Sequence, residues 1–187
     1  LLLSALAYSH ALMNQTIQPG DTVIDATVGN GHDTHLLARL VKDTGKVIGF
    51  DIQKQAIDTT KRRLIEAGLD QRVQLHPIGH ENIVDILPPA ETVSLVVYNL
   101  GYLPKGDKSI ITTPGSTLSS VKQALSRLKK NGLVLLMVYY GHQGGEEEKD
   151  VILDYVESLP QKNYSVLHYN FLNQKNSPPF LIAIEKK

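Results

Sequence analysis

The chain of 187 residues contains no cysteine. That excludes a disulfide framework, a thiolate nucleophile and a cysteine zinc site, and it suits a cytoplasmic protein. An excess of either charge is also missing, since 19 basic residues face 19 acidic ones. Net charge therefore names no polyanion as partner, although a local basic face suffices to bind one. No apolar run approaches the roughly 20 residues that a membrane span needs, so no membrane partner is expected. Leu1-Leu2-Leu3-Ser4-Ala5-Leu6-Ala7 has the apolarity of a signal core, but no basic residues precede it and polar ones soon follow. It is expected to belong to a helix, Leu1 to Met13, packed on the domain. The first residue is Leu1 rather than methionine, which leaves the natural start open. The seven histidines show no H-E-x-x-H or related spacing, so no metal is expected. There is no G-x-S-x-G elbow of a serine hydrolase. Repeats, low-complexity tracts and linkers are also missing, and the length with 42% hydrophobic residues suits one domain over residues 1–187.

What is present centres on Thr22-Val23-Ile24-Asp25-Ala26-Thr27-Val28-Gly29-Asn30-Gly31-His32-Asp33. Val23 and Ile24 read as the end of a buried strand, Asp25 closes it, and a loop with two glycines follows. Thr34 to Val41 then has helical apolar spacing. Strand, Gly-rich turn and helix make a cradle for a nucleotide cofactor, because glycine lets backbone approach the ligand and the helix start offers free N–H groups. Asp51 ends the next strand, about 20 residues past the turn, where an acidic side chain holds the ribose hydroxyls of an adenosine.

Along the chain, Pro19 and Gly20 break the first helix before the strand Thr22 to Asp25. Further strands are expected at Lys46–Asp51, Arg72–His76, Thr92–Tyr98, Leu133–Tyr139, Tyr164–Tyr169 and Phe180–Glu185. Helices are expected to about Lys42, over Gln53–Ala67 (stopped by Gly68), briefly before Pro88, over Ser116–Asn131 (with Ser116 as N-cap and Gly132 as stop) and over Glu146–Ser158. Asn99 to Pro114 is too long for a simple connection, which favours a functional role. The alternation predicts a mostly parallel sheet covered on both faces, with the closing hairpin adding one antiparallel strand.

Asp25-x-Thr27-x-Gly29-x-Gly31, Asp51, and Asn99-Leu100-Gly101-Tyr102-Leu103-Pro104 together resemble the class I S-adenosylmethionine (SAM)-dependent methyltransferases. The resemblance implies a Rossmann-like α/β fold with seven strands in the order 3-2-1-4-5-7-6. More narrowly, Asp25 to Thr34, Asn99 to Pro104, Gly106-Asp107-Lys108 and Gly141-His142-Gln143-Gly144-Gly145 are similar to the small bacterial MnmM/YtqB-like group. That group was first described as rRNA methylases. Its members are associated with methylation of the aminomethyl nitrogen of 5-aminomethyl-2-thiouridine at the tRNA wobble position. The resemblance implies SAM as cofactor and tRNA, through its anticodon region, as partner, with rRNA the alternative. Monomer and homodimer both stay open.

On this resemblance Asp25, Thr27, Gly29, Asn30, Gly31 and Asp33 surround the methionine and ribose of SAM. His32-Asp33 stands where the family has a third glycine, and Asp33 is expected to cap the helix. Asp51 and Gln53 hold the ribose; His80, Glu81 and Asn82 lie where this fold contacts adenine. Asn99 is expected to touch both cofactor and substrate, its side-chain oxygen accepting a hydrogen bond from the target nitrogen. Amine methyltransferases often carry (Asn/Asp)-Pro-Pro-(Tyr/Phe) there, and Leu100 and Gly101 replace the two prolines. Tyr102 is placed to stack on an extruded base. The aminomethyl group must lose a proton before it attacks, with His142, Tyr139 or water as candidates to take it. Substrate contacts are expected from His10, Lys105, Asp107, Lys108, Tyr139, Asn176 and Pro178. Lys61-Arg62-Arg63 and Arg127-Lys129-Lys130 read better as solvated faces than as an RNA surface. Two rivals fit the cradle: an NAD-dependent oxidoreductase, disfavoured by the missing third glycine, and a non-catalytic RNA-binding module.

Overall fold

A computed structural model of the chain describes residues 1–101 and 111–187. Its seven strands are β1 (Thr22–Asp25), β2 (Lys46–Phe50), β3 (Val73–His76), β4 (Val93–Leu100), β5 (Leu128–Val138), β6 (Tyr164–Tyr169) and β7 (Phe180–Lys186). They form one sheet in the order β3-β2-β1-β4-β5-β7-β6, the class I methyltransferase order. All neighbours run parallel except β7, which is antiparallel to both β5 and β6. The helices are α1 (Ala5–Thr16), α2 (His32–Val41), α3 (Lys54–Glu66), α4 (Ile83–Ile86), α5 (Pro114–Arg127) and α6 (Gly145–Glu157).

The apolar run of β4 feeds both faces of the sheet, because successive side chains of a strand point to opposite sides. Val96, Tyr98 and Leu100 join Val121 and Leu125 of α5 and Ile152 and Val156 of α6 in one core. Leu95 and Val97 join Met13 of α1, Leu37 of α2 and Leu64 of α3 in the other. The order reverses between β1 and β4, where the chain leaves one half of the sheet for the other, so the crevice at their carboxyl ends is the natural ligand site.

Boundaries differ from expectation at three places. The first helix starts at Ala5, with the Ser4 hydroxyl accepting from Ala7 N–H, while Leu1 and Leu2 are exposed. The Ser116 side chain is not the cap of α5; Thr113 is, its hydroxyl accepting from Ser116 N–H, and Pro114 opens the helix. That helix ends at Arg127 rather than Asn131. Residues 128–132 instead begin β5, Leu128 pairing with Val93, and a register shift follows. Leu128 is already extended, and the Lys186 ammonium donates to the carbonyls of Leu125 and Leu128 at the end of the helix.

Leu136 is fully buried at the centre of β5, between β4 and β7. Leu136→Ala is expected to destabilise the chain by about 3 kcal/mol, read as a lower urea midpoint with an unchanged slope.

Candidate functional site

The Gly-rich loop is held in shape by the elements around it. Thr60 on α3 donates to the Gly29 carbonyl (3.0 Å), and Arg63 Nε donates to that of Asn30 (3.0 Å). Gly31 is left-handed at φ 75°, and a Cβ there would fall 2.5 Å from Thr60 Oγ1. This glycine serves both the turn and the close approach of α3. It is also the N-cap residue of α2, so Asp33 does not cap that helix as expected.

The freed Asp33 carboxylate has another task. His10 Nε2 lies 2.8 Å from its Oδ1, and Asn99 Nδ2 donates to its Oδ2 at 2.8 Å. Three elements, α1, α2 and β4, thus meet at one nearly buried carboxylate. Burial works to raise the Asp33 carboxyl, but the hydrogen bonds of His10 and Asn99 and the charges of His10 and His32 outweigh it and hold it below the usual carboxylate value. The hydrogen bond to Asp33 raises His10, against its partial burial. Asn99 N–H also donates to Thr27 Oγ1 (2.7 Å), tying β4 to the Gly loop. Since an ionised carboxylate only accepts, Asn99 must present Nδ2 to Asp33, and no described residue bonds its Oδ1.

Asp25 lies beneath the loop, fully buried. Its Oδ2 accepts from the Thr34 hydroxyl (2.6 Å) and its Oδ1 from Thr27 N–H (3.2 Å). Burial, helped by the Asp33 charge, pushes its carboxyl up to about 7. Asp51 accepts from Gly29 N–H (2.9 Å) and Gln53 N–H (2.8 Å), one on each oxygen. Each oxygen keeps a lone pair for a ribose hydroxyl. Beyond β3, His80 Nδ1–H donates to the Ala26 carbonyl (3.0 Å). Burial lowers this imidazole, so the neutral ring leaves Nε2 a bare acceptor, buried and unbonded among the described residues.

These groups open on a cleft of about 1170 Å³. It exceeds the ~300–1,000 Å³ of a single small-ligand site, which gives room for a nucleoside cofactor beside part of a second ligand. Its walls include His10, Thr27, Gly29, Asn30, Asp33, Asp51, Gln53, His80, Glu81, Asn99, Tyr139 and His142. Asp25 and Gly31 do not line it and act from below. Asn82 spends its amide on the Gly79 carbonyl (2.9 Å) and is not on the wall, which removes it as the expected adenine contact. Of the loop before β7, Ser177 reaches the wall, flanked in sequence by Asn176 and Pro178. Tyr102, Lys105, Asp107 and Lys108 lie outside the described residues.

Sequence reasoning missed the base of the loop after β4. Gly101 N–H donates to Thr112 Oγ1 (3.0 Å), and the Thr112 and Thr117 hydroxyls both donate to the buried Glu148 carboxylate (2.6 Å each). Glu148 passed for one of three dipole-complementing glutamates; only the tertiary contact distinguishes it.

Residues 47–185 match the family described as "Putative rRNA methylase". The chain belongs to that family. A second match, to protein-L-isoaspartate(D-aspartate) O-methyltransferase, covers residues 3–81, the half that builds the Gly loop. A curated relative from Arabidopsis thaliana, a chloroplastic tRNA (mnm(5)s(2)U34)-methyltransferase, is 39% identical over 98% of this chain and 70% of its own. A crystal structure titled as a putative rRNA-methylase from Clostridium thermocellum is 41% identical, with a TM-score of 0.97 over the whole of both chains. A putative methyltransferase from Streptococcus mutans, solved with SAH, is 39% identical with a TM-score of 0.92, also over the whole of both. The chain is a SAM-dependent methyltransferase, and the oxidoreductase reading falls. Asp51 with its spare lone pairs, the bare His80 Nε2 and the tight Gly loop fit an adenosyl cofactor.

Asp25 carries a testable consequence. Because its folded value stands near 7 against an ordinary 3.8, the folded chain binds a proton the unfolded chain has lost, and stability from this group falls as pH rises between about 4 and about 7. Asp25→Asn removes that loss. The melting temperature of the variant relative to the parent, followed from pH 5 to pH 8, is expected to climb with pH.

Proposed function

We propose that this chain transfers a methyl group from SAM to the aminomethyl nitrogen of 5-aminomethyl-2-thiouridine at the tRNA wobble position. The observation that carries the reading is Asn99: its amide is turned by Asp33 so that Oδ1 is left for a ligand in the cleft. The relative from Arabidopsis thaliana, named for that reaction and aligned over nearly the whole chain, supports it.

SAM, when bound, supplies a methyl group on a positively charged sulfur. The residues to hold it are Asp51 and Gln53 at the ribose, His80 and Glu81 toward adenine, and the loop from Thr27 to Gly31 with Asp33 toward the methionine. Asn99 Oδ1 accepts a hydrogen bond from the substrate amine and so aims its lone pair. Catalysis is mainly proximity and orientation, for which a well-aligned bound pair suffices. Tyr102 is the stacking partner for the extruded base in this reading, and Lys105, Asp107 and Lys108 meet the RNA around it. His142 and Tyr139 form the far wall of the nucleotide pocket, with Ser177 and its neighbours Asn176 and Pro178 as the rim.

Half of the residues in the clusters seen in sequence are spent inside the fold, while Lys61, Arg62 and Lys130 are exposed. Arg63 holds the Gly loop, Lys129 pairs with Asp21 at 2.7 Å, and Arg127 donates to the carbonyls of Pro88 and Pro89. A different group stands beside the cleft: His32, His35 and Arg39 of α2 with Arg63, close enough that Arg39, Arg63 and His32 lower His35. None of the four except His35 and Arg63 is more than slightly covered, and none pairs with a carboxylate among the described residues. Phosphate contacts there make binding salt-dependent.

The test is methyl transfer from labelled SAM to undermodified tRNA carrying 5-aminomethyl-2-thiouridine. Label on the wobble nucleoside supports the reading; label only on rRNA shifts the substrate, and no transfer to either leaves a binding module. Asn99→Ala is expected to lower kcat about 100-fold, in the range of orientation effects, while the calorimetric SAM affinity is largely kept.

A further inference from the structure

The reaction proposed above leaves one proton without a destination. An aliphatic aminomethyl group has a pKa loosely comparable to that of lysine, about 10.4, so at neutral pH it enters as an ammonium with no lone pair to give. Asn99 Oδ1 holds a proton by hydrogen bond and cannot take it away.

His142 also lines the cleft and is set against His10 by the experiment below; among the other groups the cleft narrows the choice of acceptor. Asp25 is fully buried and does not line the wall, and Asp51 stands at the ribose end with both oxygens on backbone N–H groups. Asp33 is held below the usual carboxylate value and bonded on both oxygens. Burial, with the Asp33 charge, raises the Tyr139 phenol, which removes it as a base. His80 is buried toward the other end and lowered by burial.

His10 differs from all of these. It lines the cleft, its side chain is 36% exposed, and it is one carboxylate away from Asn99. Because ionised Asp33 only accepts, Nε2 must carry the hydrogen in that 2.8 Å bond. The neutral ring therefore presents Nδ1 as a lone pair, and no described residue bonds it. We propose that His10 is the general base: Nδ1 takes a proton from the substrate ammonium while Asp33 fixes the tautomer and stabilises the imidazolium. The N–H bond breaks toward Nδ1, the freed nitrogen lone pair forms the N–CH3 bond, the S–CH3 electrons return to sulfur, and the imidazolium later gives its proton to water. The inference rests on the amine reading of the substrate.

Among the described residues, Asp33 is the group that sets the His10 titration. From α2 it faces Asp33, with His32 nearby; from β4, Asn99; from the end of β5, Tyr139. On β6, Tyr169 packs tilted against Tyr8 at 4.6 Å between ring centres, two residues before His10 on α1. From β5 and β7, Met137 and Leu181 share the apolar core with α1. The raised His10 titration agrees with a base paired to a carboxylate.

The experiment compares pH–rate profiles of single-turnover methyl transfer to aminomethyl-thiouridine tRNA by the parent, His10→Gln and His142→Asn. The parent is expected to level off once His10 is neutral. His10→Gln keeps a donor for Asp33 but has no base; near pH 7.5 it is expected to run about 100- to 1,000-fold slower, in the range of general-base effects. Its rate should climb about tenfold per pH unit, and its calorimetric SAM affinity should stay within about threefold. Imidazole should restore part of the rate of His10→Ala. Independently of turnover, nitrogen NMR of histidine-labelled protein should find Nδ1 unprotonated in the neutral His10 ring, and Asp33→Asn should lower its pKa. Parallel profiles for parent and His10→Gln, a slope acquired by His142→Asn instead, SAM affinity lost in step with rate, or a proton on Nδ1 would each overturn the assignment. A parent that methylates this tRNA with parallel profiles sinks only the base; a parent that leaves it unmethylated sinks the amine reading and the base together.

Discussion

The Asp33 carboxylate joins three parts of the chain that sequence separates widely: His10 on α1, its own helix α2, and Asn99 at the end of β4. Burial makes an unpaired carboxylate costly, so the two hydrogen bonds are conditions of its being there at all. With them in place, the Asn99 amide has one orientation and the His10 ring one tautomer. Both polar edges of the cleft, the acceptor on Asn99 and the open nitrogen on His10, follow from the charge of this single residue.

The loop from Asp25 to Asp33 depends on the same economy. Its carbonyls are taken by Thr60 and Arg63 of α3, its Thr27 hydroxyl by Asn99 N–H, and its Gly29 N–H by Asp51. The third glycine that related loops carry is dispensable here, because Gly29 and Gly31 both take left-handed conformations and Gly31 leaves the space for Thr60. A charged residue then occupies the third position and reaches across to the substrate side. The departure from the family spacing and the polar network are one feature.

Much of the fold was legible in the chain. The Pro19-Gly20 break, the apolar run of β4 and the Gly68 stop placed strand and helix correctly, since each depends on local backbone preference or simple alternation. The position of Asp51 directly after β2, beside the Gly loop, was also legible locally. Failures came where local preference was overridden. Leu128 to Gly132 has helical company but pairs with β4 instead, because Leu128 is needed in the core beside Val93. Glu148 sat among three glutamates at a helix start, and nothing in its neighbours marked it as the buried clasp of a loop more than thirty residues away.

The sequence by itself determined the class: alternating strands and helices, a Gly-rich loop after the first strand, an acidic residue after the second and an Asn at the end of the fourth. These are signals of period and spacing, carried by neighbours along the chain. Only the tertiary structure decided which polar atoms face one another, because hydrogen bonds between α1, α2 and β4 have no signature at any one of those sites. Asp33 reads as a helix cap until Gly31 is seen to fill that position, and His10 reads as a histidine near the end of a helix until Asp33 is seen beside it.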